Sequence, residues 1–309
     1  MPTVRTVVVT RDLAGPLDRA VRALFGETWG RARSWIEAGK VRVGGAVATE
    51  PTSRVQEGIE ISVDERAPRW KAAHLVDDEI VFIDAHVIVV AKPAGVSTVP
   101  FDESETDSLE ARVRRWMERK HLVPGRQRPS LGVVHRLDKD TSGLIVLTRT
   151  WLAKQSLTGQ FRRHTVHRRY VALAHGRVVS RQIRSFLVDN RGDGLRGSVR
   201  GTPPAQAREA ITHVEALESL AQSTLVACRL ETGRTHQIRI HLSESGHPIL
   251  GDRVYTRRFP GPLIEAPRMM LHASELGFVH PATERPVRWE QAIPDDMMGV
   301  LARLRQGSP

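Results

Sequence analysis

Cysteine is almost absent from this sequence, in which Cys228 is the only one. A disulfide framework, and every zinc or iron–sulfur site built from several cysteines, is therefore excluded, and a reducing compartment is expected. No run approaches the ~18 consecutive apolar residues that a membrane-spanning helix needs. The apolar run at residues 7–9 is too short for the core of a signal peptide. We therefore expect a soluble, cytoplasmic protein with no disulfide-linked partner and no contact with a membrane.

Negative charge is scarce relative to positive charge. Lys and Arg number 46 against 35 Asp and Glu, which gives a formal net charge of +11. A surface this cationic favours a polyanionic partner. The length of 309 residues predicts two domains at roughly 150 residues each. A hydrophobic content of 40% is typical of a globular chain and excludes a disordered tail.

Residues 15–64 show the pattern of a small α/β unit. Apolar residues recur at helical spacing after Pro16 and again around Trp35, which predicts two helices. Alternating residues at 41–43 and again at 59–63, with a tight turn at Gly44 and Gly45, predict two strands. We therefore expect two helices followed by a small hairpin.

The run RSWIEAGKVRVGG, residues 33–45, resembles the small RNA-binding domain named after ribosomal protein S-four. Four basic side chains surround the corner between the second helix and the hairpin: Arg31, Arg33, Lys40 and Arg42. The resemblance implies that these side chains contact RNA phosphates. The alternative is an ordinary helical cap with solvated arginines.

The rest of the chain alternates between strand and helix patterns. We predict an N-terminal domain over residues 1–64, a linker over residues 65–75 and a second domain over residues 76–309. Strands are predicted as two runs within residues 80–91 and at residues 144–148, 170–174, 210–216, 225–231 and 276–279. Helices are predicted at residues 109–121, 152–161 and 236–245. This order indicates an α+β domain with a mixed, mostly antiparallel sheet.

Positive charge is concentrated in three segments of the second domain. They are residues 112–128, residues 162–169 and residues 177–208, the last of which is rich in Gly and Pro and is expected to be irregular. Each segment alone is typical of a solvated face. Three of them on a chain of net charge +11 favour binding to RNA or DNA.

The most informative run is HRLDKDTSGLI, residues 135–145, in which a charged segment leads directly into an apolar strand. Asp138 carries the side chain of a nucleophile or general base. The alternative is a turn in which Asp138 or Asp140 caps backbone amides. His135 and Asp138 lack a convincing third ligand nearby, which argues against a metal site. The chain also shows no Walker loop and no Gly-rich dinucleotide turn, so we expect no cofactor.

This run resembles the nucleophile motif of the RluA-like pseudouridine synthases, in which His-Arg-Leu-Asp is followed two residues later by Thr-Ser-Gly. Further segments between residues 76 and 292 follow the order of that family's motifs. They are IVVAKPAG at residues 88–95, RYVA at 169–172, TGRTHQIR at 232–239, HPILGD at 247–252 and LHA at 271–273. The resemblance implies the family's fold and the isomerisation of uridine in RNA.

The resemblance also implies roles for three reacting or stacking residues. Asp138 matches the catalytic aspartate, and Arg239 matches the arginine that pairs with that aspartate and keeps it charged. Tyr170 matches the tyrosine that stacks on the base and is a candidate proton acceptor. No metal is implied.

Three further residues are expected to contact the substrate. Arg136 matches the arginine that helps to displace the target nucleotide, and Ile238 matches the apolar residue that lines the pocket. Arg234 is expected to contact RNA or to support the site. One basic position before Tyr170, a lysine in the family, is His167 or Arg168 here, and residues 190–206 are too divergent to assign.

These features predict an RNA pseudouridine synthase that acts as a monomer on ribosomal or transfer RNA. Pseudouridine formation involves no redox change and no phosphate transfer, which agrees with the lack of cofactor motifs. A non-catalytic RNA-binding or ribosome-assembly factor is the main alternative. An RNA or DNA glycosidase would use the same carboxylate chemistry but would release the base.

Overall fold

The computed structural model describes residues 4–48, 51–67, 75–100, 107–122, 130–199, 201–257 and 259–307. The chain divides into two compact units, Met1–His74 with Pro100–Arg112, and Leu75–Val99 with Val113–Pro309. Most of the predicted linker, residues 68–74, lies outside the described residues, as do Arg126 and Arg128 of the first basic segment.

The first unit combines two helices with a four-stranded sheet. Its elements are β1 Val4–Val8, β2 Gly15–Pro16, α1 Leu17–Phe25, α2 Trp29–Glu37, β3 Val41–Val43, β4 Ala46–Ala48, β5 Arg54–Val55 and β6 Glu60–Asp64. The strand order is β1-β6-β3-β4 with antiparallel pairing, and β2 pairs with β5. The strands predicted at residues 41–43 and 59–63 are present as β3 and β6, which pair with each other, whereas the turn at Gly44 and Gly45 joins β3 to β4. Strand β1 was not predicted, because it and its partner β6 come from the two ends of the unit and no local pattern reveals their pairing.

The helices of the first unit bury the apolar stripes that the sequence shows. Thr28 caps α2, where its hydroxyl accepts a hydrogen bond from the backbone N–H of Arg31 at 3.3 Å. Leu17, Val21 and Ile36 are fully buried in the core between the helices and the sheet. Each such side chain contributes about 1.5–3 kcal/mol through burial.

The second unit is built on an extended sheet. From residue 75 onward the elements are β7 Ile80–Ile83, β8 Val87–Lys92, α3 Leu109–Arg119, β9 Gly132–Val133, β10 Ser142–Thr148, α4 Trp151–Arg162, β11 His167–His175, β12 Arg181–Val188, β13 Gly197–Ser198, β14 Arg208–Ser219, β15 Ser223–Leu230, α5 Gln237–Glu244, β16 Leu271–Val279, β17 Pro286–Glu290 and α6 Asp295–Arg305. The part of α3 before Val113 groups with the first unit. The order is β13-β12-β14-β15-β11-β16-β10-β8-β7, with β17 beside β16 and β9 beside β10. The pairing of β10 with β16 is parallel and the other pairings are antiparallel. The predicted mixed, mostly antiparallel sheet is confirmed.

The prediction of an irregular segment over residues 177–208 is wrong in its first half. Residues Arg181–Val188 form β12, which pairs with β14 along its length. Ile183, Ser185 and Leu187 face inward in alternation, while the residues between them are exposed. The exposed arginines of this strand obscure the period of two in the sequence.

The start of β10 is held tightly against β16. Gly143 has φ +114°, and a Cβ at this position would lie 2.3 Å from the carbonyl oxygen of Ala273. Only glycine fits such an approach and such a backbone conformation without strain. This close approach of β10 to β16 fixes where the polar segment that precedes β10 leaves the sheet.

Candidate active site

Asp138 lies in the segment that leads into β10, and its backbone is held from both sides. Thr98 Oγ1 accepts a hydrogen bond from the N–H of Leu137 at 3.1 Å and donates one to the carbonyl of the same residue at 3.0 Å. The buried ammonium of Lys92 donates to the carbonyl of Lys139 at 3.0 Å. The carbonyl of Asp138 accepts the N–H of Thr141 at 3.1 Å and closes the turn. The turn that was the alternative interpretation of this run is therefore present. A backbone hydrogen bond closes it, and the Asp138 carboxylate does not cap it.

The Asp138 carboxylate pairs with Arg239. Arg239 Nη1 donates to Asp138 Oδ2 at 3.2 Å, with 19% of the Asp138 side chain exposed. The same guanidinium donates to Asp252 through Nε at 2.7 Å and through Nη2 at 3.1 Å. Burial alone would raise the pKa of Asp252, but Arg239 and backbone amides outweigh burial and lower it. One arginine thus joins a partly exposed carboxylate to a fully buried one.

Arg239 owes its position to the first turn of α5. The buried side chain of Gln237 accepts from the hydroxyl of Thr232 at 2.8 Å and from the N–H of Arg234 at 3.0 Å. Its amide nitrogen donates to the carbonyl of Ile211 on β14 at 3.0 Å. Gln237 therefore ties the start of α5 to the sheet, which places Arg239 over the site.

A cavity of about 470 Å³ opens beside these groups. Asp138, Arg239, Tyr170 and Ile238 all line it, so the structure brings together these predicted residues. Tyr170 on β11 is 8% exposed and Ile238 is 3% exposed. Burial, with a further contribution from Asp138, raises the pKa of Tyr170 although the charge of Arg168 opposes this, so the side chain stays a neutral phenol.

The predicted RNA-contacting arginines of this unit line the same cavity at different depths. Arg136 is exposed at the rim, and Arg234 is half-buried, with its Nε donating to the carbonyl of Glu209 at 2.9 Å. The second basic segment is divided by the alternation of β11. Arg168 faces the cavity, whereas His167 and Arg169 pair with Glu275 at 2.7 Å and 3.1 Å.

Two site residues were not predicted, His236 and Tyr255. His236 Nε2 lies 3.9 Å from Asp138 Oδ1, and its Nδ1 lies 2.9 Å from the Tyr255 hydroxyl. The guanidinium carbon of Arg239 also lies over the Tyr255 ring, 5.0 Å from the ring centre. Burial lowers the pKa of His236 although Asp138 opposes this, so the imidazole is neutral at pH 7. His236 stands inside the quoted motif, but its left-handed backbone, φ +60°, which turns it toward Asp138, leaves no sequence signal.

His135 has a structural role. Its Nε2 accepts the N–H of Val146 on β10 at 3.1 Å, and its ring stacks on Phe161 with a centroid distance of 4.5 Å. Burial and the charge of Arg168 lower the pKa of His135 to about 3, which keeps the ring neutral. Within the described part of the chain, no group of three or more His, Cys, Asp or Glu side chains could hold a metal ion.

The basic residues predicted for RNA contact in the first unit all have partners within that unit. Arg31 pairs with Glu65 at 2.9 Å, and Arg33 pairs with Asp18 at 2.9 Å. The Lys40 ammonium and the Arg42 guanidinium donate to backbone carbonyls, of Glu65 and Gly45. The side chains of Arg31 and Arg33 remain 54% exposed, so they are oriented by these contacts and still reach solvent.

Comparison with known families agrees with this geometry. The model of a family described as RNA pseudouridylate synthase matches residues 86–244, and the S4 domain model matches residues 15–61. The chain belongs to the RNA pseudouridylate synthase family. The predicted RNA pseudouridine synthase with an N-terminal S-four-like domain is thereby confirmed. No helix among the described residues is long and apolar enough to cross a membrane.

Curated relatives resemble the chain over almost its whole length. It is 35% identical to ribosomal large subunit pseudouridine synthase D of Nitrosomonas europaea, over 97% of this chain and 87% of that protein. Identity to the protein of the same name from Pseudomonas aeruginosa is 34%, over 98% and 96%. Among solved structures, human RNA pseudouridylate synthase domain containing 4 matches with a TM-score of 0.60 and 25% identity, over 74% of this chain and 93% of that one.

Proposed function

We propose that this enzyme converts specific uridines of ribosomal RNA to pseudouridine, with Asp138 as its reacting carboxylate. The observation that carries the proposal is the 3.2 Å pair of Asp138 and Arg239 on the wall of a cavity that Tyr170 also lines. The motifs leave ribosomal and transfer RNA open as substrates. The names of the relatives, which refer to the large ribosomal subunit, favour ribosomal RNA.

The role of Asp138 follows from the bond that must break. When the bond from ribose C1′ to uracil N1 breaks, its electron pair leaves with the base, and positive charge develops on the sugar. An ionised carboxylate stabilises or captures such a sugar cation, as in glycoside hydrolysis. Arg239 holds the carboxylate in place through a planar, always charged guanidinium. The base then turns, its C5 bonds to C1′, and the proton lost from C5 is balanced by one gained at N1.

The target uracil must leave the RNA stack to reach Asp138. Extrusion costs a few kcal/mol, and stacking on an aromatic side chain returns about 1–3 kcal/mol per base. Tyr170 supplies that surface in the cavity, and Arg136 at the rim is placed to occupy the vacated position. Burial raises the pKa of Tyr170, so the phenol is not ionised and cannot accept a proton as a phenolate would. Stacking on the base is therefore the favoured role of Tyr170.

The first unit is proposed to hold the RNA without taking part in the chemistry. It presents Arg31, Arg33, Lys40 and Arg42, whereas Asp138, Tyr170 and Arg239 all belong to the second unit. All three site residues come from one chain, which supports action as a monomer. The single buried cysteine fits a reducing compartment, which supports a cytoplasmic location.

Product analysis separates this function from its alternatives. Purified enzyme is incubated with ribosomal RNA from cells that lack the gene, and pseudouridine and free uracil are both quantified. We expect pseudouridine at a small set of positions that are unmodified in those cells, with no free uracil. Free uracil would indicate a glycosidase, and bound but unmodified RNA would indicate a non-catalytic factor.

A further inference from the structure

Arg168 is the buried cation of the cavity that has no carboxylate beside it among the described residues. It is 7% exposed and lines the cavity together with Asp138 and Tyr170. Its Nη2 donates to the carbonyl of Glu231 at 3.3 Å, and its guanidinium carbon lies 5.5 Å from the centre of the Phe161 ring. Its Nε is buried without a hydrogen-bond partner in the part of the chain that the structure describes.

The fold makes specific room for this guanidinium. A Cβ on Gly233 would lie 2.4 Å from Arg168 Nη1, so a larger residue there would displace the side chain. Gly233 does not have a positive φ, so backbone conformation does not require glycine. A side chain at position 233 would therefore shift the Arg168 guanidinium.

A buried arginine without a counter-charge destabilises the fold unless another interaction offsets the loss of hydration. Arginine stays charged in proteins, and an unpaired buried charge destabilises the fold. The positive charges near Arg168 have carboxylate partners, since Arg169 pairs with Glu275 and Arg239 pairs with two aspartates. Arg168 forms no ion pair within the part of the chain that the structure describes, and Arg234 adds positive charge nearby. An anionic group from the substrate would complete this site.

The depth of Arg168 distinguishes between the anionic groups that RNA offers. Backbone phosphates meet exposed cations, such as Arg136 at the rim. A flipped base instead enters the cavity and stacks on Tyr170, which is two residues along β11 from Arg168 and on the same side of the strand. The group that reaches Arg168 is therefore the uracil ring.

We propose that Arg168 binds a carbonyl oxygen of the flipped uracil and stabilises the negative charge on the ring after it leaves C1′. This inference rests on the proposed function, because it requires a base that detaches. The electron pair of the C1′–N1 bond moves onto the ring and spreads to its carbonyl oxygens, while the sugar cation faces Asp138. Arg168 and Asp138 then complement the two charges that separate. The ring's charge is used up when C5 bonds to C1′, and the proton then lost from C5 is balanced by one gained at N1.

The test compares two substrates that differ in how well the detached ring bears negative charge. Wild type, Arg168→Met and Arg168→Lys are assayed in single turnovers at saturating enzyme. The RNA carries uridine or 5-fluorouridine at the target, and loss of the original nucleotide is followed. The matched control is Arg229→Met, which removes an exposed arginine from the neighbouring strand β15.

We expect Arg168→Met to slow the uridine reaction by about 10²-fold or more, the usual effect of removing one group that stabilises a developing anion. The loss should be clearly smaller with 5-fluorouridine, because fluorine already stabilises the anion. Arg168→Lys should recover part of the rate, and Arg229→Met should match wild type. The melting temperature of Arg168→Met should equal or exceed that of wild type, since an uncompensated buried charge is removed.

Three results would overturn the inference while leaving the proposed function intact. They are a fully active Arg168→Met, equal losses on both substrates, and a loss confined to RNA affinity with a weaker salt dependence, which would indicate a phosphate contact. A wild-type enzyme that leaves uridine unchanged would instead overturn the proposed function.

Discussion

Asp252 accepts two hydrogen bonds from Arg239, from Nε at 2.7 Å and from Nη2 at 3.1 Å. This two-point contact fixes the plane of the guanidinium and leaves Nη1 directed at Asp138. Asp252 is itself held by the backbone N–H groups of Val254 and Tyr255 at 2.8 Å and 3.1 Å. The position of the Asp138 carboxylate thus depends on a buried ion pair on the far side of Arg239.

Replacement of Arg239 should impair chemistry more than replacement of Arg234. Arg239→Met removes the group that holds Asp138, and we expect turnover to fall by several orders of magnitude. Arg234→Met removes a hydrogen bond to the backbone carbonyl of Glu209, so its effect should be on RNA affinity or stability. Single-turnover rates and RNA dissociation constants for both variants test this. If Arg234→Met abolished turnover and Arg239→Met weakened only affinity, the assignment of the two arginines would be wrong.

Asp252→Asn should weaken both the fold and the reaction. Loss of one partner of a buried ion pair costs about 3–5 kcal/mol, because the remaining charge is left unpaired. The pKa of Asp252 lies below 3.8 in the folded protein, so its contribution is present above that pH and is lost as the pH falls through the folded pKa. Urea denaturation of both proteins at neutral and acidic pH measures the difference. A gap that does not shrink in acid would contradict a charged Asp252.

Three histidines that stay neutral in the fold should make the second unit less stable below about pH 6.5. Burial lowers the pKa of His135 to about 3 and those of His241 and His272 to about 4. The unfolded chain takes up these protons first, so stability falls with decreasing pH by about 1.4 kcal/mol per pH unit for each histidine. His241 is held by the hydroxyls of Thr212 and Ser185 at 2.9 Å and 3.0 Å.

His241→Gln removes one of these titrating groups and so measures its contribution to the pH dependence of stability. We expect a lower free energy of unfolding at neutral pH, and a slope against pH that is shallower than that of wild type by about one proton. Urea denaturation between about pH 7 and about pH 5 gives both quantities. Parallel slopes for the two proteins would show that His241 is not neutral in the fold.

The motifs predicted which residues line the cavity better than they predicted the interactions that hold those residues in place. Asp138, Tyr170, Arg239 and Ile238 meet in one cavity because strand alternation and helix spacing place short motifs predictably. His236 and the anchoring role of Asp252 depend on a left-handed residue and on a loop that folds back, neither of which has a local period.

The lack of a local period also explains which strands were not predicted. Buried strands such as β10 and β15 are continuous apolar runs and were found. Strand β12 was missed because arginines interrupt its pattern, and β1 was missed because its partner β6 lies at the other end of the unit.

The first unit should contribute affinity without contributing to chemistry. Replacement of Arg31, Arg33, Lys40 and Arg42 by Gln should weaken RNA binding. It should also lower the slope of log affinity against log salt by about 0.7–0.9 for each phosphate that these side chains neutralise. These substitutions are preferable to a truncation, because Pro100–Arg112 groups with the first unit.

Binding isotherms across a salt series and single-turnover rates at saturating enzyme test this division. Arg305→Gln, which breaks an exposed pair with Glu218, is the control for loss of surface charge. Unchanged slopes would mean that the four residues do not touch this RNA. A reduced saturated rate would mean that they help to build the active site.

Asp138→Asn tests most directly whether Asp138 reacts with the sugar. The amide keeps the shape of the side chain but cannot stabilise or attack a sugar cation as a carboxylate does. Pseudouridine formed at the target position in a single turnover is the measurement, with RNA affinity and thermal unfolding as controls. We predict a folded variant that binds RNA as wild type does and forms no pseudouridine. Formation of more than a trace of pseudouridine by this variant would show that the Asp138 carboxylate is not the reacting group.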